Sequence, residues 1–297
     1  PKNQSQSQML SKLELSEAEI ISLKNYSKKK NIDFLLSCFD QESLNFVLKK
    51  IKPKILKIAS GEITNLPLLL KHAISKKKII LSTGMSNINE IEEALAVIAF
   101  GYLYPNQKPS KNKFMKVLKS EKSKSILKKN VVVLQCTTDY PCMYKDCNLL
   151  TINELRTKFR LNTGFSDHTD GIEASIAAVA LGACVIEKHI TLDKKMRGPD
   201  HNASLSPKEF KRMTDSIRNI ELALGDGKKK LMNSEKNNLI NSRKSLFARK
   251  EIKKNDIFNL SNLAIKRPGV GISPTKFWDY IGKKSKKNYK KDTPINE

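Results

Sequence analysis

Short apolar runs that alternate with helix-patterned stretches constrain this chain more than any other feature. The runs cover 32–38, 55–59, 79–83, 131–136, 162–166 and 185–189. Apolar runs without strict alternation read as strands buried on both faces, and strands separated by helices pair in parallel. The intervening helices are predicted over 41–50, 65–75, 87–100, 148–159, 171–182 and 206–224. A further helix is predicted over 16–30. Ser16 and Glu19 have capping-box spacing, and Ile20, Leu23 and Tyr26 form an apolar stripe. Residues 1–15, rich in Ser and Gln, read as irregular.

Two architectures fit such a pattern, an open doubly wound sheet and a (β/α)₈ barrel. Polar residues stand at the C-terminal ends of nearly every run: Ser37, Ser60, Glu62, Ser82, Thr138, Tyr140, Ser166, His168 and His189. A barrel converges all its strand ends on one point, whereas an open sheet converges only two or three. The predicted fold class is therefore α/β, a (β/α)₈ TIM barrel. Six strands are visible, so the first two are expected before Pro1. The Lys- and Ser-rich stretch 102–129, with Pro105 and Pro109, reads as a surface excursion with a helix over 113–127. Gly225-Asp226-Gly227 and three lysines end the last helix. The predicted domains are a barrel over 1–225, a linker over 226–243 and a small β-rich domain over 244–297.

The formal charge is +25, from 55 Lys and Arg against 30 Asp and Glu. The excess is mostly Lys and aromatics are only 6%. Nucleic-acid recognition prefers clustered Arg with interleaved aromatics, so a solvated lysine-rich surface is the reading, without a nucleic-acid partner. The longest apolar stretch, 174–186, is too short to cross a bilayer, so no membrane partner is expected. Five cysteines, an odd number without CxxC, fit a reduced cytoplasmic protein.

Two of the four histidines occupy equivalent places. His168 follows one run in GFSDHTDG and His189 ends the next in VIEKHITLD. On adjacent barrel strands the imidazoles share one rim and suit a divalent transition metal with open positions; the alternative is two structural histidines. Alternation puts Ser166 with His168 and Glu187 with His189. Glu187 either orients an imidazole or pairs with Lys57. Lys57 lies within an apolar run and needs a partner or ligand; with Ser60, Glu62 and Ser82 it suggests a phosphate cradle. Asp200 sits in the turn MRGPDHNAS, as an acceptor for a polyol or an Asx-type turn. Arg267 stands beside a Pro-Gly turn whose glycines do not follow a dinucleotide-binding pattern.

KIASGEITNLPLL, ILSTGM, CTTDYP, GFSDHTDGIEASIAAVALGACVIEKHITLD, GPDHNASLSP and IKRPGVGISP resemble the sialic acid synthase family, which includes neuraminate, legionaminate and pseudaminate synthases. The resemblance runs from about residue 8 to the C-terminus. It implies a barrel followed by an antifreeze-like (SAF) domain, and a domain-swapped homodimer. It implies condensation of phosphoenolpyruvate with N-acetylmannosamine or a related 2,4-diacetamido hexose, giving a nonulosonic acid and phosphate. By resemblance, His168 and His189 bind a divalent metal, usually Mn²⁺, with Mg²⁺ or Co²⁺ as substitutes. Ser37, Lys57, Ser60, Ser82 and Ser166 match phosphoenolpyruvate positions, and Thr138 stands where some members have Asn. Glu62, Tyr140 and Asp200 match sugar or catalytic-pocket positions. Arg267 matches an arginine that reaches the partner's barrel and contacts the sugar's acyl-amino group. The GPDH loop favours the neuraminate and legionaminate branches over the pseudaminate one.

Some features depart from the family pattern. LLSCFD replaces FSTPFD, Gln135 stands where His is usual, and no aromatic occupies 241–244. The family's first strand–helix–strand has no counterpart, so residues 1–297 alone are expected to have little activity. The alternative functions are an inactive fragment or partner subunit of such a synthase, and a pseudaminate synthase.

Overall fold

The computed structural model describes residue 11 and residues 13–297; most of the predicted irregular segment 1–15 lies outside them. The chain divides into two units, Pro1–Gly225 and Asp226–Glu297.

The first unit is built on five parallel strands: β1 (Ile55–Ile58), β2 (Lys78–Ser82), β3 (Val131–Cys136), β4 (Asn162–Asp167) and β5 (Ile186–Lys188). Their spatial order is their chain order. A doubly wound sheet reverses direction at a switch point, and this sheet does not. The sheet also curls. A flat sheet would separate β1 from β5 by about 19 Å, four strand spacings. Yet Lys57 Nζ on β1 lies 3.6 Å from Glu187 Oε1 on β5. The described strands thus form a curled parallel half-barrel, in keeping with the TIM-barrel reading.

Helices follow the strands with the expected caps. They are α1 (Glu17–Lys29), α2 (Gln41–Phe46), α3 (Leu66–Ile74), α4 (Ile88–Leu103), α5 (Lys111–Leu118), α6 (Glu121–Asn130), α7 (Thr151–Phe159), α8 (Glu173–Ala180) and α9 (Pro207–Leu224). Ser16 and Glu19 form the capping box predicted for α1. Two details differ from the sequence reading. The excursion holds two helices, because Ser120 takes a capping bond from Ser123 N and starts α6 afresh. The run 32–38 forms no strand, only a parallel bridge from Ser37 to Lys57; Ile32 and Leu35 are exposed.

Alternation sorts the sheet's side chains. Ile58, Ile79, Leu81, Val131 and Val133 pack outward with Leu69, Ala73, Leu95, Ile98 and Phe100 of α3 and α4. Lys57, Ser82, Cys136, Ser166 and Glu187 have the opposite parity and point inward.

His72 on α3 is fully buried. Its Nδ1–H donates to the Leu68 carbonyl at 2.9 Å, and Nε2 has no partner. Burial pulls its pKa below the ordinary histidine value. Below about pH 6.5 the unfolded chain takes up a proton that the folded chain resists, so stability is lost as pH falls. The expected result is a lower melting temperature at pH 5.5 than at 7.5, with a shallower dependence in His72→Leu. Equal pH dependence of the two proteins would contradict it.

The second unit pairs β6 (Ser245–Ala248) and β7 (Leu263–Lys266) antiparallel. Bridges Phe247–Pro294, Ile252–Tyr289 and Ile257–Lys284 extend it. Leu246, Ile252, Phe258, Leu263 and Ile295 form its core. Arg267 lies exposed just beyond β7. Among the described residues, no helix is long and apolar enough to cross a membrane.

Candidate active site

Strand register brings the inward polar residues to one end of the sheet. Ser82 pairs with Leu134, Cys136 with Ser166, and Ser166 with Glu187. Cys136, Ser166 and Glu187 are therefore level on β3, β4 and β5, while Ser82 stands level with Leu134, two residues earlier along β3.

Lys57 is 6% exposed, and its ammonium donates to the Ile58 carbonyl at 3.1 Å. Burial pulls its pKa down, and Glu187 opposes that shift. Glu187 Oε1 also accepts the Ser166 hydroxyl at 2.6 Å. Of the two roles open to Glu187 in the sequence, the structure shows the ion pair. The Ser82 hydroxyl is buried without a partner. Ser60 Oγ lies 3.2 Å from Thr138 Oγ1. Gly84 presses its backbone between them: a β-carbon there would stand 2.2 Å from Thr138 Oγ1 and 3.2 Å from Ser60 Cβ. One buried cation and several hydroxyls thus share the inner face.

The histidines meet beside this group. Their ring centroids are 5.4 Å apart, and the Tyr140 ring lies 4.2 Å from His168 and 5.5 Å from His189. His168 Nδ1 is 2.7 Å from the Thr137 carbonyl. A carbonyl only accepts, so Nδ1 carries the proton and Nε2 a free lone pair. Ser166 Oγ is 3.4 Å from that Nε2. Burial holds the His168 pKa below its usual value, which keeps the ring neutral near pH 7. His189 is more open, with Asp200 Oδ2 at 4.0 Å from Nδ1. Two imidazoles on one rim, with a free Nε2 lone pair on His168, fit a divalent transition ion. Among the described residues no third His, Cys, Asp or Glu completes a metal cluster, so the rest of the shell would come from water or substrate.

Ser166, His168, Tyr140, His189 and Asp200 are thus linked by direct contacts, and Lys57 joins them through Glu187; Ser60 and Thr138 contact each other beside Cys136, and Ser82 joins by strand position. Glu62 sits in the turn after β1 and accepts from Asn65 Nδ2 at 2.7 Å. Ser37 is exposed and reaches the cluster only through its bridge to Lys57. Arg267 belongs to the other unit. Gly84, Cys136 and the Thr137 carbonyl were not among the residues singled out from sequence. Cys136 is buried with Sγ 4.0 Å from His168 Nδ1, and inward parity was the signal that marked it. A cavity of about 820 Å³, lined by Leu118, Lys128, Phe159 and Arg160 among others, lies near the opposite ends of β3 and β4 and takes no part in this cluster.

The model of the NeuB family matches residues 1–229, and that of the SAF domain matches residues 243–297. The chain belongs to the NeuB family. This NeuB-family chain is 48% identical over 295 residues to the N,N'-diacetyllegionaminic acid synthase of Campylobacter jejuni, covering 99% of this chain and 81% of that protein. It is 37% identical to the pseudaminic acid synthase of the same species, over 86% of this chain and 66% of that one. The N-acetylneuraminic acid synthetase structure from Leptospira borgpetersenii superimposes with a TM-score of 0.64 at 35% identity, covering 78% of this chain and 72% of that one. The NeuB-family chain is an enzyme of the kind these relatives are named for, a synthase of nonulosonic acids.

Proposed function

We propose that this enzyme condenses phosphoenolpyruvate with an open-chain 2,4-diacetamido hexose to give a legionaminic-type nonulosonic acid and phosphate. The observation that carries the reading is the strand-end cluster, a buried Lys57 with hydroxyls beside two imidazoles that share one rim. The higher identity to the diacetyllegionaminic than to the pseudaminic acid synthase supports the branch.

Each residue type suits its assigned task. The ammonium of Lys57 and the hydroxyls of Ser60, Ser82, Thr138 and Ser166 hold the anionic substrate, with Ser37 at the edge. The buried, partnerless Ser82 hydroxyl is a donor that a bound anion would satisfy. Asp200, Glu62 and Tyr140 serve the polyol. Arg267 contacts the acyl-amino group from a second copy in a domain-swapped homodimer. His168 and His189 hold the divalent ion, Mn²⁺ by preference. Bound there, the ion supplies Lewis acidity toward the sugar aldehyde.

The reaction balances as follows. C3 of phosphoenolpyruvate forms a bond to the aldehyde carbon, whose oxygen takes a proton. Water adds at C2, and inorganic phosphate leaves by cleavage of the C2–O bond. A 2-keto nine-carbon acid remains.

Gly84→Ala tests the hydroxyl cradle. The new methyl displaces Thr138 or Ser60, and misplacement by about 1 Å costs about 100-fold. The expected result is a phosphoenolpyruvate KM raised at least about tenfold, with the sugar KM less affected. An unchanged KM for phosphoenolpyruvate would contradict the cradle.

The reading itself is tested by turnover on a panel of sugars with phosphoenolpyruvate and Mn²⁺. The 2,4-diacetamido-trideoxy hexose is expected to give the highest kcat/KM, above N-acetylmannosamine. Preference for N-acetylmannosamine would move the enzyme to the neuraminate branch. Release of phosphate with neither sugar would refute the reading.

A further inference from the structure

His168 and His189 each follow a residue of opposite parity. Asp167 ends β4 and Lys188 ends β5, directly paired in register. Both side chains point away from the inner face, both are fully buried, and Lys188 Nζ lies 3.2 Å from Asp167 Oδ2. Asp167 Oδ1 accepts from Thr169 N at 2.8 Å and from Thr169 Oγ1 at 2.7 Å. Its Oδ2 also accepts from Ser175 Oγ on α8 at 2.5 Å. Lys188 Nζ donates to the Thr169 carbonyl at 2.5 Å. The segment 167–169 is therefore closed on itself, with His168 at its centre, and it is tied across to the residue before His189.

A fully buried ion pair is seldom worth more to stability than an apolar pair of the same volume. What it does impose is geometry. We infer that Asp167 and Lys188 form a positioning clamp that fixes the spacing of the two imidazoles and so sets their affinity for a divalent ion. The inference rests on the proposed reading of His168 and His189 as a metal pair. Sequence alternation already sets Asp167 and Lys188 on the far face from the histidines, so neither touches substrate. They act through the backbone that carries the imidazoles, as outer partners of metal ligands do.

The test is Mn²⁺ titration of the purified chain, read as free Mn²⁺ by electron paramagnetic resonance, beside thermal melts. Wild type, His168→Ala, Asp167→Asn, Lys188→Met and the Asp167→Asn/Lys188→Met double variant are compared. Each single clamp variant leaves a buried group unpaired and melts lower. The double variant removes both charges and regains most of the melting temperature. Its Mn²⁺ Kd is expected to stay at least about tenfold weaker than wild type. A double variant that melts and binds Mn²⁺ like wild type would overturn the clamp while leaving the metal reading intact. Wild type binding no more Mn²⁺ than His168→Ala would overturn both. Should the double variant fail to fold, Ser175→Ala decides. It removes one bond to Asp167 and touches no charge, and it is expected to weaken Mn²⁺ about threefold; an unchanged Kd would overturn the clamp.

Discussion

Replacing His168 with alanine is expected to lower kcat by about 1,000-fold or more while the chain stays folded. Lewis-acid polarisation of a carbonyl is worth several kcal/mol, and each 1.36 kcal/mol is tenfold in rate. In the proposed reading the imidazole sits where that loss falls on the chemistry. Its Nδ1–H is spent on the Thr137 carbonyl, so its free Nε2 faces the rim shared with His189. The structural cost is smaller, one hydrogen bond of about 1 kcal/mol and a little packing against Tyr140. Kinetics with circular dichroism separate the two. A folded His168→Ala variant with wild-type kcat would remove the histidine from the reaction. Excess Mn²⁺ should not restore the rate if His168 is the ligand proposed above, because that ligand is gone.

Lys57→Met is expected to raise the phosphoenolpyruvate KM by about 100-fold. Hydrogen bonds to charged groups are worth about 1.5–3 kcal/mol, which corresponds to roughly 10- to 150-fold. Methionine keeps the volume and apolar stem, so packing within β1 survives. Glu187 loses its cation, but its side chain is 39% exposed and keeps the Ser166 hydroxyl, so water can solvate it. The variant should therefore fold. The sugar KM should move far less than that of phosphoenolpyruvate. Equal rises in both would mean that Lys57 acts as a general structural cation.

Much of this arrangement was legible in the chain because strand alternation is strict. Parity alone put Ser166 with His168 and Glu187 with His189 on the inner face. The same rule puts Asp167 and Lys188 on the other face, but periodicity cannot say that two opposite charges lie in register there. That depends on the offset between β4 and β5, a tertiary fact. Glu187 was undecided between an imidazole and Lys57 for the same reason. Its partner lies across the curled sheet, on β1. The run 32–38 has strand composition, yet a ladder needs partners over several residues. Among the described residues only Ser37 finds one, at Lys57. The excursion's second helix follows from a local competition: the Ser120 hydroxyl caps α6 where helix propensity alone would have continued.

The most direct measurement incubates the purified chain at high concentration, so that even the slow turnover expected of residues 1–297 registers, with ¹³C-labelled phosphoenolpyruvate, Mn²⁺ and the 2,4-diacetamido-trideoxy hexose. Carbon NMR and mass spectrometry then follow the label. Appearance of a labelled nine-carbon 2-keto acid with one equivalent of phosphate, lost on chelation of the metal and in His168→Ala, is the result expected. Label that stays in phosphoenolpyruvate, or that appears only as pyruvate with no new carbon–carbon bond, would contradict the account.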